Sequence, residues 1–168
     1  MTIAGAGELE AGVDTAGESL PSVYLHPGQL FASAQPVSVT TVLGSCVSVC
    51  LWDEARDIGG VNHYVLPQWA GNGTSSPRFG NVAMETLFSR LVGLGALPRF
   101  LRAKVFGGAC MIQAFRRREN HLGGQNVDLA LAFLRERGVP VCNQDTGGNR
   151  GRKLVFHTAT GAAWLRQL

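Results

Sequence analysis

The sequence predicts an α/β fold of stacked layers, with mixed or antiparallel sheets rather than a doubly wound parallel sheet. Three observations favour this class. Segments that are rich in β-branched residues, or that alternate apolar and polar residues, outnumber helical segments. Only two segments repeat apolar residues at helical spacing. Most strand segments are joined by short turns, whereas a parallel crossover needs about a dozen residues or more.

The chain organisation is predicted to be one domain behind a short leader. A length of 168 residues fits a single domain. The first 20 residues hold four acidic side chains, no basic side chain and few apolar ones. We therefore expect a disordered acidic leader over residues 1–20 and one folded domain over residues 21–168.

The sequence contains no membrane or export signal. No apolar run approaches the roughly 18 residues of a membrane helix. The N-terminus also lacks the basic and apolar regions of a signal peptide. We expect a cytoplasmic protein that does not insert into membranes.

The first half of the domain contains three predicted strands. Residues 37–43 are rich in β-branched side chains, which favours a strand. A Gly-Ser pair at 44–45 interrupts it, and alternation resumes over residues 47–52. A third strand is predicted over residues 59–66, followed by a loop over residues 68–80.

Two helices are predicted from apolar residues at helical spacing. Asn81 is expected to cap the first helix, which continues to about residue 95. Asn126 is expected to cap the second helix, which ends before Gly138. Further strands are expected over residues 103–106, 139–143, 153–156 and 162–165.

The cysteine pattern predicts free thiols at Cys46, Cys50, Cys110 and Cys142. If Cys46 and Cys50 share a strand, they lie roughly 13 Å apart, beyond the ~7 Å limit between bridged Cα atoms. The chain has no CxxC motif, and no cysteine pair faces a histidine pair, so we expect no structural metal. The Arg116–Arg118 run has no interleaved aromatic residue, which favours a solvated face over a nucleic-acid site.

Cys46 and His63 are the candidate catalytic pair. Cys46 follows the tight turn of Gly44 and Ser45, where backbone N–H groups can stabilise an oxyanion. His63 lies on the next strand, and a hairpin would bring it near the thiol, as acyl transfer requires. The alternative is a buried cysteine that acts as a small apolar residue, beside a histidine that only satisfies a carbonyl. From these residues alone the two interpretations are evenly balanced.

Thr40 and two glycine pairs are weaker candidates. Thr40 carries a hydroxyl that could orient the imidazole, although a threonine in a strand is unremarkable. The pairs Gly107-Gly108 and Gly147-Gly148 lack the phosphate-loop and dinucleotide patterns. They either border a substrate groove or simply permit tight turns, and the sequence favours neither.

An ordered set of segments resembles the CheD family of chemoreceptor glutamine deamidases. Each segment is short, but together they are specific and span roughly residues 22–161. They are TTVLGSCV (40–47), GGVNHYVLP (59–67), FGNVAM (79–84), AKVFGGA (103–109), LGGQN (122–126), DTGG (145–148) and GRK (151–153).

This resemblance implies both a fold and an activity. It implies a layered α/β/β/α sandwich like that of deamidating bacterial toxins. It implies Cys46 as nucleophile, His63 as base and Thr40 as third member, with no cofactor. The implied substrates are glutamines on the cytoplasmic helices of methyl-accepting chemotaxis receptors, and some members also hydrolyse glutamyl methyl esters. A CheC phosphatase is the family's usual partner.

Two other functions stay open at this point. The first is a non-catalytic adaptor that docks on receptors or on a phosphatase, with an idle thiol. The second is a thiol hydrolase of another amide, such as a small metabolite. Thiol alkylation tests the first, and a comparison of free glutamine with receptor substrate tests the second.

Overall fold

The computed structural model describes residues 9–13 and 19–168, which form two five-stranded sheets and two helices. Sheet A has the order β1-β2-β4-β9-β10, and all its neighbours are antiparallel except β2 and β4. Its strands are β1 (Leu9–Val13), β2 (Ser19–Tyr24), β4 (Ser38–Leu43), β9 (Arg152–His157) and β10 (Ala163–Gln167).

Sheet B has the order β3-β6-β5-β7-β8, with a parallel pair only between β7 and β8. Its strands are β3 (Leu30–Ser33), β5 (Val47–Asp53), β6 (Ile58–Asn62), β7 (Arg102–Gly107) and β8 (Val141–Thr146). The helices are α1 (Gly80–Gly93) and α2 (Leu122–Glu136). The predicted α/β class with mixed sheets is confirmed.

The layers are sheet A, sheet B and then both helices. One apolar cluster lies between the sheets and includes Val39 and Phe156 from sheet A and Phe106 from sheet B. The other cluster joins the opposite face of sheet B, including Val49, to α1 and α2. Among the described residues no helix covers the outer face of sheet A, so the implied four-layer α/β/β/α arrangement is wrong.

Burial patterns explain why one helical layer suffices. Every residue of β5 and β6 is buried, so these central strands need a cover on both faces. Sheet A provides one cover and the helices provide the other. In β4 burial alternates, and its outward-facing residues are half-buried or exposed, so no second helical layer is required.

Three strands were not foreseen in the sequence: β1, β2 and β3. β3 is short and buried throughout, so it lacks the alternation that marks a strand. β1 forms within the segment expected to be a disordered leader, and it pairs with β2 from Leu9 opposite Val23 to Val13 opposite Ser19. An edge strand can form through backbone hydrogen bonds without the apolar burial that the sequence lacks. The rest of the proposed leader, residues 1–8 and 14–18, lies outside the described residues.

Both predicted helix caps are wrong. α1 begins after Phe79. The side chain of Asn81 instead binds the backbone of Trp69: Oδ1 accepts from the Trp69 N–H at 2.9 Å, and Nδ2 donates to the Trp69 carbonyl at 3.3 Å. α2 begins after His121, whose Nδ1 accepts from the Gly124 N–H at 3.1 Å. Asn126 therefore lies inside α2. No helix in the described part of the chain is long and apolar enough to cross a membrane.

Candidate active site

Cys46 lies where the chain passes from sheet A to sheet B. β4 ends at Leu43, the chain turns through Gly44 and Ser45, and β5 begins at Val47. Cys46 is half-buried and packs at the edge of the cluster between the sheets. The turn therefore presents the thiol at an open end of the intersheet space.

Three successive carbonyls of this turn are held by hydrogen bonds. Gly44 O accepts from the Ala109 N–H at 2.9 Å, and Cys46 O accepts from the Gly108 N–H at 2.8 Å. Ser45 O between them accepts from the side-chain Nδ2 of Asn126 at 3.0 Å. Because the C=O and N–H of a trans peptide point in opposite directions, the N–H groups of Ser45 and Cys46 face away from these donors. The Cys46 N–H interacts with its own sulfur.

His63 lies on the same face of sheet B as Cys46. Val47 and Tyr64 exchange two backbone hydrogen bonds of 3.1 Å, which sets Ser48 opposite His63. Cys46 is two residues from Ser48, so it is the diagonal neighbour of His63, at a typical Cα distance of about 7–8 Å. Side chains of this length can meet across that diagonal. The hairpin predicted from the sequence places the two residues on the same face of the sheet.

The threonine beside His63 is Thr41, and Thr40 is the wrong assignment. Thr41 Oγ1 lies 2.7 Å from His63 Nδ1 and 2.7 Å from Leu25 O, and its side chain is buried. Successive residues of a strand point to opposite faces, so Thr40 projects from the other face of β4. Thr40 contributes its backbone carbonyl to the Leu25 N–H instead.

The hydrogen bonds select one tautomer of His63. Thr41 has a single hydroxyl proton, which it donates to the Leu25 carbonyl. Its oxygen must therefore accept the proton on His63 Nδ1, which leaves the lone pair on Nε2. Within the described residues Nε2 is buried and has no hydrogen-bond partner. The lone pair of this buried nitrogen is therefore free to accept a proton.

Burial favours the neutral forms of both catalytic candidates. It lowers the pKa of His63 from 6.5 to about 4, opposed by the Leu25 carbonyl and reinforced by His26. Burial also raises the pKa of the Cys46 thiol, although its own backbone N–H opposes the rise. The resting pair is thus a thiol beside a neutral imidazole.

The glycine pair at 107–108 supports the turn from behind. A Cβ on Gly107 would lie 2.2 Å from the Cys46 carbonyl oxygen. A Cβ on Gly108 would lie 2.4 Å from Val127 Cγ2 in α2. Both residues also have positive φ, of 111° and 71°. Glycine is required here for close packing, whereas the sequence left a role as a groove wall equally open.

The pair at 147–148 lies beyond the first pair. The Gly147 N–H donates to Gly107 O at 2.9 Å, and Gly148 O accepts from the Cys110 N–H at 2.9 Å. The guanidinium of buried Arg152 binds Gly147 O and the side chain of Asp145. A Cβ on Gly147 would meet no atom within 4 Å, whereas a Cβ on Gly148 would lie 3.9 Å from Arg152 Nη2.

An apolar surface adjoins the active-site turn. It surrounds a cavity of about 260 Å³ that reaches Ser45. We call it the rim; its exposed residues are Met111, Ile112, Phe115 and Leu122. The Arg116–Arg118 run is exposed and directly follows the rim residue Phe115. Within the described residues no group of His, Cys, Asp and Glu side chains could hold a metal ion.

Comparison with known proteins identifies the family. The family described as CheD chemotactic sensory transduction matches residues 65–167. A protein of Anaeromyxobacter dehalogenans named probable chemoreceptor glutamine deamidase CheD 1 is 50% identical over 94% of this chain and 91% of its own length. The chain belongs to the CheD family.

Other members of the CheD family are also similar over most of their length. A probable chemoreceptor glutamine deamidase CheD from Trichlorobacter lovleyi is 40% identical over 89% of this chain and 92% of its own. One from Rhodospirillum rubrum is 41% identical over 89% of this chain and 84% of its own. The family match begins at residue 65, after Cys46 and His63. The similarity to these relatives extends over 89–94% of the chain and therefore includes both residues.

Sequence reasoning missed two residues of the site. Thr41 had a usable signal, because Val37, Val39 and Leu43 alternate and residue 41 shares their inward face. Asn126 had no such signal in the sequence, because its contacts with Ser45 and Val65 join residues that are 81 and 61 positions apart.

Proposed function

We propose that this CheD chain deamidates glutamine side chains of methyl-accepting chemotaxis receptors through a thiol mechanism. One observation carries the proposal: Cys46 lies diagonal to His63, whose Nδ1 is held by Thr41 and whose Nε2 is free. A nucleophile, a base and a group that orients the base form the minimal unit for acyl transfer. The relatives named probable chemoreceptor glutamine deamidase support the same chemistry.

The reaction follows from these roles. His63 Nε2 takes the thiol proton while the Cys46 sulfur attacks the amide carbon of a receptor glutamine. The oxyanion forms near the N–H groups of Ser45 and Cys46, with Gly44 and Ser45 as the turn that aims them. His63 then protonates the departing ammonia, which leaves a thioester. Water, deprotonated by His63, hydrolyses the thioester to glutamate and restores the thiol.

The rim offers a docking surface for a receptor helix. Its apolar side chains and the adjoining cavity suit the apolar face of an amphipathic helix. The three exposed arginines would attract acidic side chains on such a helix. Helix contacts along the rim would supply the binding energy that positions the amide at Cys46.

The wider assignments follow from the same function. The enzyme works in the cytoplasm, where receptor signalling helices are found, and a CheC-type phosphatase is the proposed protein partner. Glutamyl methyl esters can enter the same thioester pathway, because they differ from glutamine in the leaving group. We also propose that this Cys–His chemistry is shared with deamidating bacterial toxins.

The test compares protein and free substrates. We expect a purified receptor cytoplasmic fragment to release ammonia and gain glutamate, detected by mass spectrometry, while free glutamine at equal concentration reacts poorly. Comparable rates on the two would favour a small-molecule amidase. Receptor binding without conversion would favour the non-catalytic adaptor.

A matched pair of variants tests the rim. Ile112→Asp places a charge on the rim and is expected to raise KM for the receptor fragment. Val92→Asp places the same charge on an equally apolar, exposed position of α1 and is the control. Equal KM values for the two variants would reject the rim as the docking surface.

A further inference from the structure

Asn126 is an unusual residue for its position in the fold. It is fully buried inside α2, and a buried polar side chain is costly unless it is hydrogen-bonded. Its Nδ2 donates to Ser45 O at 3.0 Å and to Val65 O at 2.9 Å. Its backbone carbonyl accepts the Tyr64 hydroxyl proton. All three contacts are with the two strand ends that carry Cys46 and His63.

These contacts replace the strand ladder where it ends. The exchange between Val47 and Tyr64 is the last backbone pairing between the two strands. Beyond it the carbonyls of Ser45 and Val65 would be left without partners in a buried region. The two protons of one Asn126 amide satisfy both carbonyls, so the amide holds the strand ends at a fixed separation.

The bond to Ser45 also fixes a backbone donor. Ser45 C=O and Cys46 N–H belong to one planar peptide unit and point in opposite directions. When Asn126 holds the carbonyl, the Cys46 N–H is held on the opposite side, facing the sulfur. The carbonyls of Gly44 and Cys46 accept from backbone N–H groups. Of the three donors that hold the turn, Asn126 is therefore the one that can be removed by changing a side chain.

The amide orientation follows from the same contacts. With Nδ2 on two carbonyl oxygens, Oδ1 is buried and has no partner within the described residues. Turning the amide over would set Oδ1 against two other oxygens, which is less favourable still. An unpartnered buried acceptor costs free energy, so this orientation sacrifices Oδ1 for the two bonds that Nδ2 makes to Ser45 and Val65.

From this arrangement we infer that Asn126 is a positioning residue for the deamidation reaction. It holds the peptide that supplies the Cys46 oxyanion donor and locks Cys46 in register with His63. This inference rests on the proposed function for its kinetic readout. It predicts a loss of turnover rather than of receptor binding, because Asn126 is buried and does not belong to the rim.

The kinetic test uses Asn126→Ala and a matched control. We expect kcat on a receptor fragment to fall on the order of a hundredfold, the effect of misplacing reacting groups by about 1 Å, with KM little changed. Asn81→Ala is the control, because Asn81 is also a helix asparagine whose amide holds neighbouring backbone, at Trp69. Its kcat should match wild type even if its melting temperature falls.

Tyr64→Phe covers the case in which Asn126→Ala does not fold. It keeps the buried ring and removes only the hydroxyl that donates to the Asn126 backbone carbonyl. We expect a smaller drop in kcat in the same direction. Wild-type kcat in folded Asn126→Ala, or in Tyr64→Phe if the first variant is unfolded, would overturn the inference.

A second readout does not depend on receptor turnover. The rate of Cys46 alkylation by iodoacetamide is measured by peptide mass spectrometry over pH 5–9. Its pH profile reports how His63 and the Cys46 N–H affect ionisation of the thiol. We expect the Asn126→Ala profile to move toward that of His63→Ala, while Asn81→Ala keeps the wild-type profile. If wild type fails to deamidate receptors, the proposed function fails, yet an altered profile would still support positioning and an unaltered one would reject it.

Discussion

Cys46 and Cys50 occupy the same face of one strand region, four residues apart, but their surroundings differ. Cys50 is fully buried between the sheets, packed in the cluster that contains Trp52 and Phe156. Burial raises its pKa far above the usual range, with only a partial opposing effect of Lys104. Cys46 lies at the edge of the same cluster, half-buried, with its own N–H on the sulfur.

The proposed nucleophile therefore differs from Cys50 in its turn and its burial, not in its residue type. At Cys50 the backbone is paired on both sides, with Val61 in β6 and Lys104 in β7. At Cys46 the ladder to β6 has just ended, so backbone N–H groups become available to a substrate. His63 lies opposite Ser48 and is therefore diagonal to both Cys46 and Cys50, so burial and the turn, rather than the position of a base, distinguish the two thiols.

The largest expected effect separates the two thiols. Cys46→Ala should abolish ammonia release from a receptor fragment, because no covalent intermediate can form. Cys50→Ala should retain activity but lose about 1 kcal/mol of stability through a small core cavity. Activity assays with thermal melts of both variants check this. Wild-type turnover by folded Cys46→Ala would contradict the assignment.

A graded series tests the base and its support. His63→Ala should lose roughly 10²–10⁴-fold in kcat, the usual contribution of a general base. Thr41→Val removes one hydrogen bond to His63, worth about 1 kcal/mol or roughly fivefold. Thr40→Val should change little, because its side chain projects from the other face of β4. A larger loss from Thr40→Val than from Thr41→Val would reverse this assignment.

The pH dependence of stability tests the burial of His63. Between pH 6.5 and about 4 the unfolded chain protonates this residue while the folded chain does not. The free energy of unfolding should therefore decrease as the pH falls through this window, by roughly 3 kcal/mol for this group. Denaturant unfolding of wild type and His63→Ala at several pH values isolates the contribution. Parallel curves for the two proteins would show that His63 is not held neutral.

The smallest effect is expected at β1, the edge strand of sheet A that pairs with β2. Deleting residues 2–18 removes β1 but keeps β2, which pairs with β4. We expect nearly unchanged activity and a small drop in melting temperature, because β1 adds only an edge strand. A large drop in either would show that the acidic leader supports the domain or the site.

The sequence predicted the parts of the fold that depend on local pattern. β-branched residues located β4, alternation located β5, the Gly-Ser pair located the turn, and the short connection to β6 predicted that this strand pairs with β5. The family resemblance indicated Thr40, yet the inward-facing residue is Thr41, as the alternation of β4 requires.

Other features depend on tertiary contacts that local pattern does not record. β3 is buried on both faces and has no alternation. β8 runs from Val141 to Thr146, whereas the sequence predicted a strand over residues 139–143, because an edge strand exposed along most of its length carries little apolar signal to mark its ends. Asn126 resembled a helix cap because asparagine favours that position, but its partners are Ser45 and Val65 in distant segments.

The most direct test of the central claim is to intercept the thioester on Cys46 with hydroxylamine. Hydroxylamine attacks a thioester to give a hydroxamate and a free thiol. We predict that wild type and Cys50→Ala convert receptor glutamine partly to the hydroxamate, in proportion to the hydroxylamine added, and that Cys46→Ala forms none. Equal hydroxamate formation by folded Cys46→Ala, or glutamate without hydroxamate at every concentration in wild type, would contradict a covalent mechanism at Cys46.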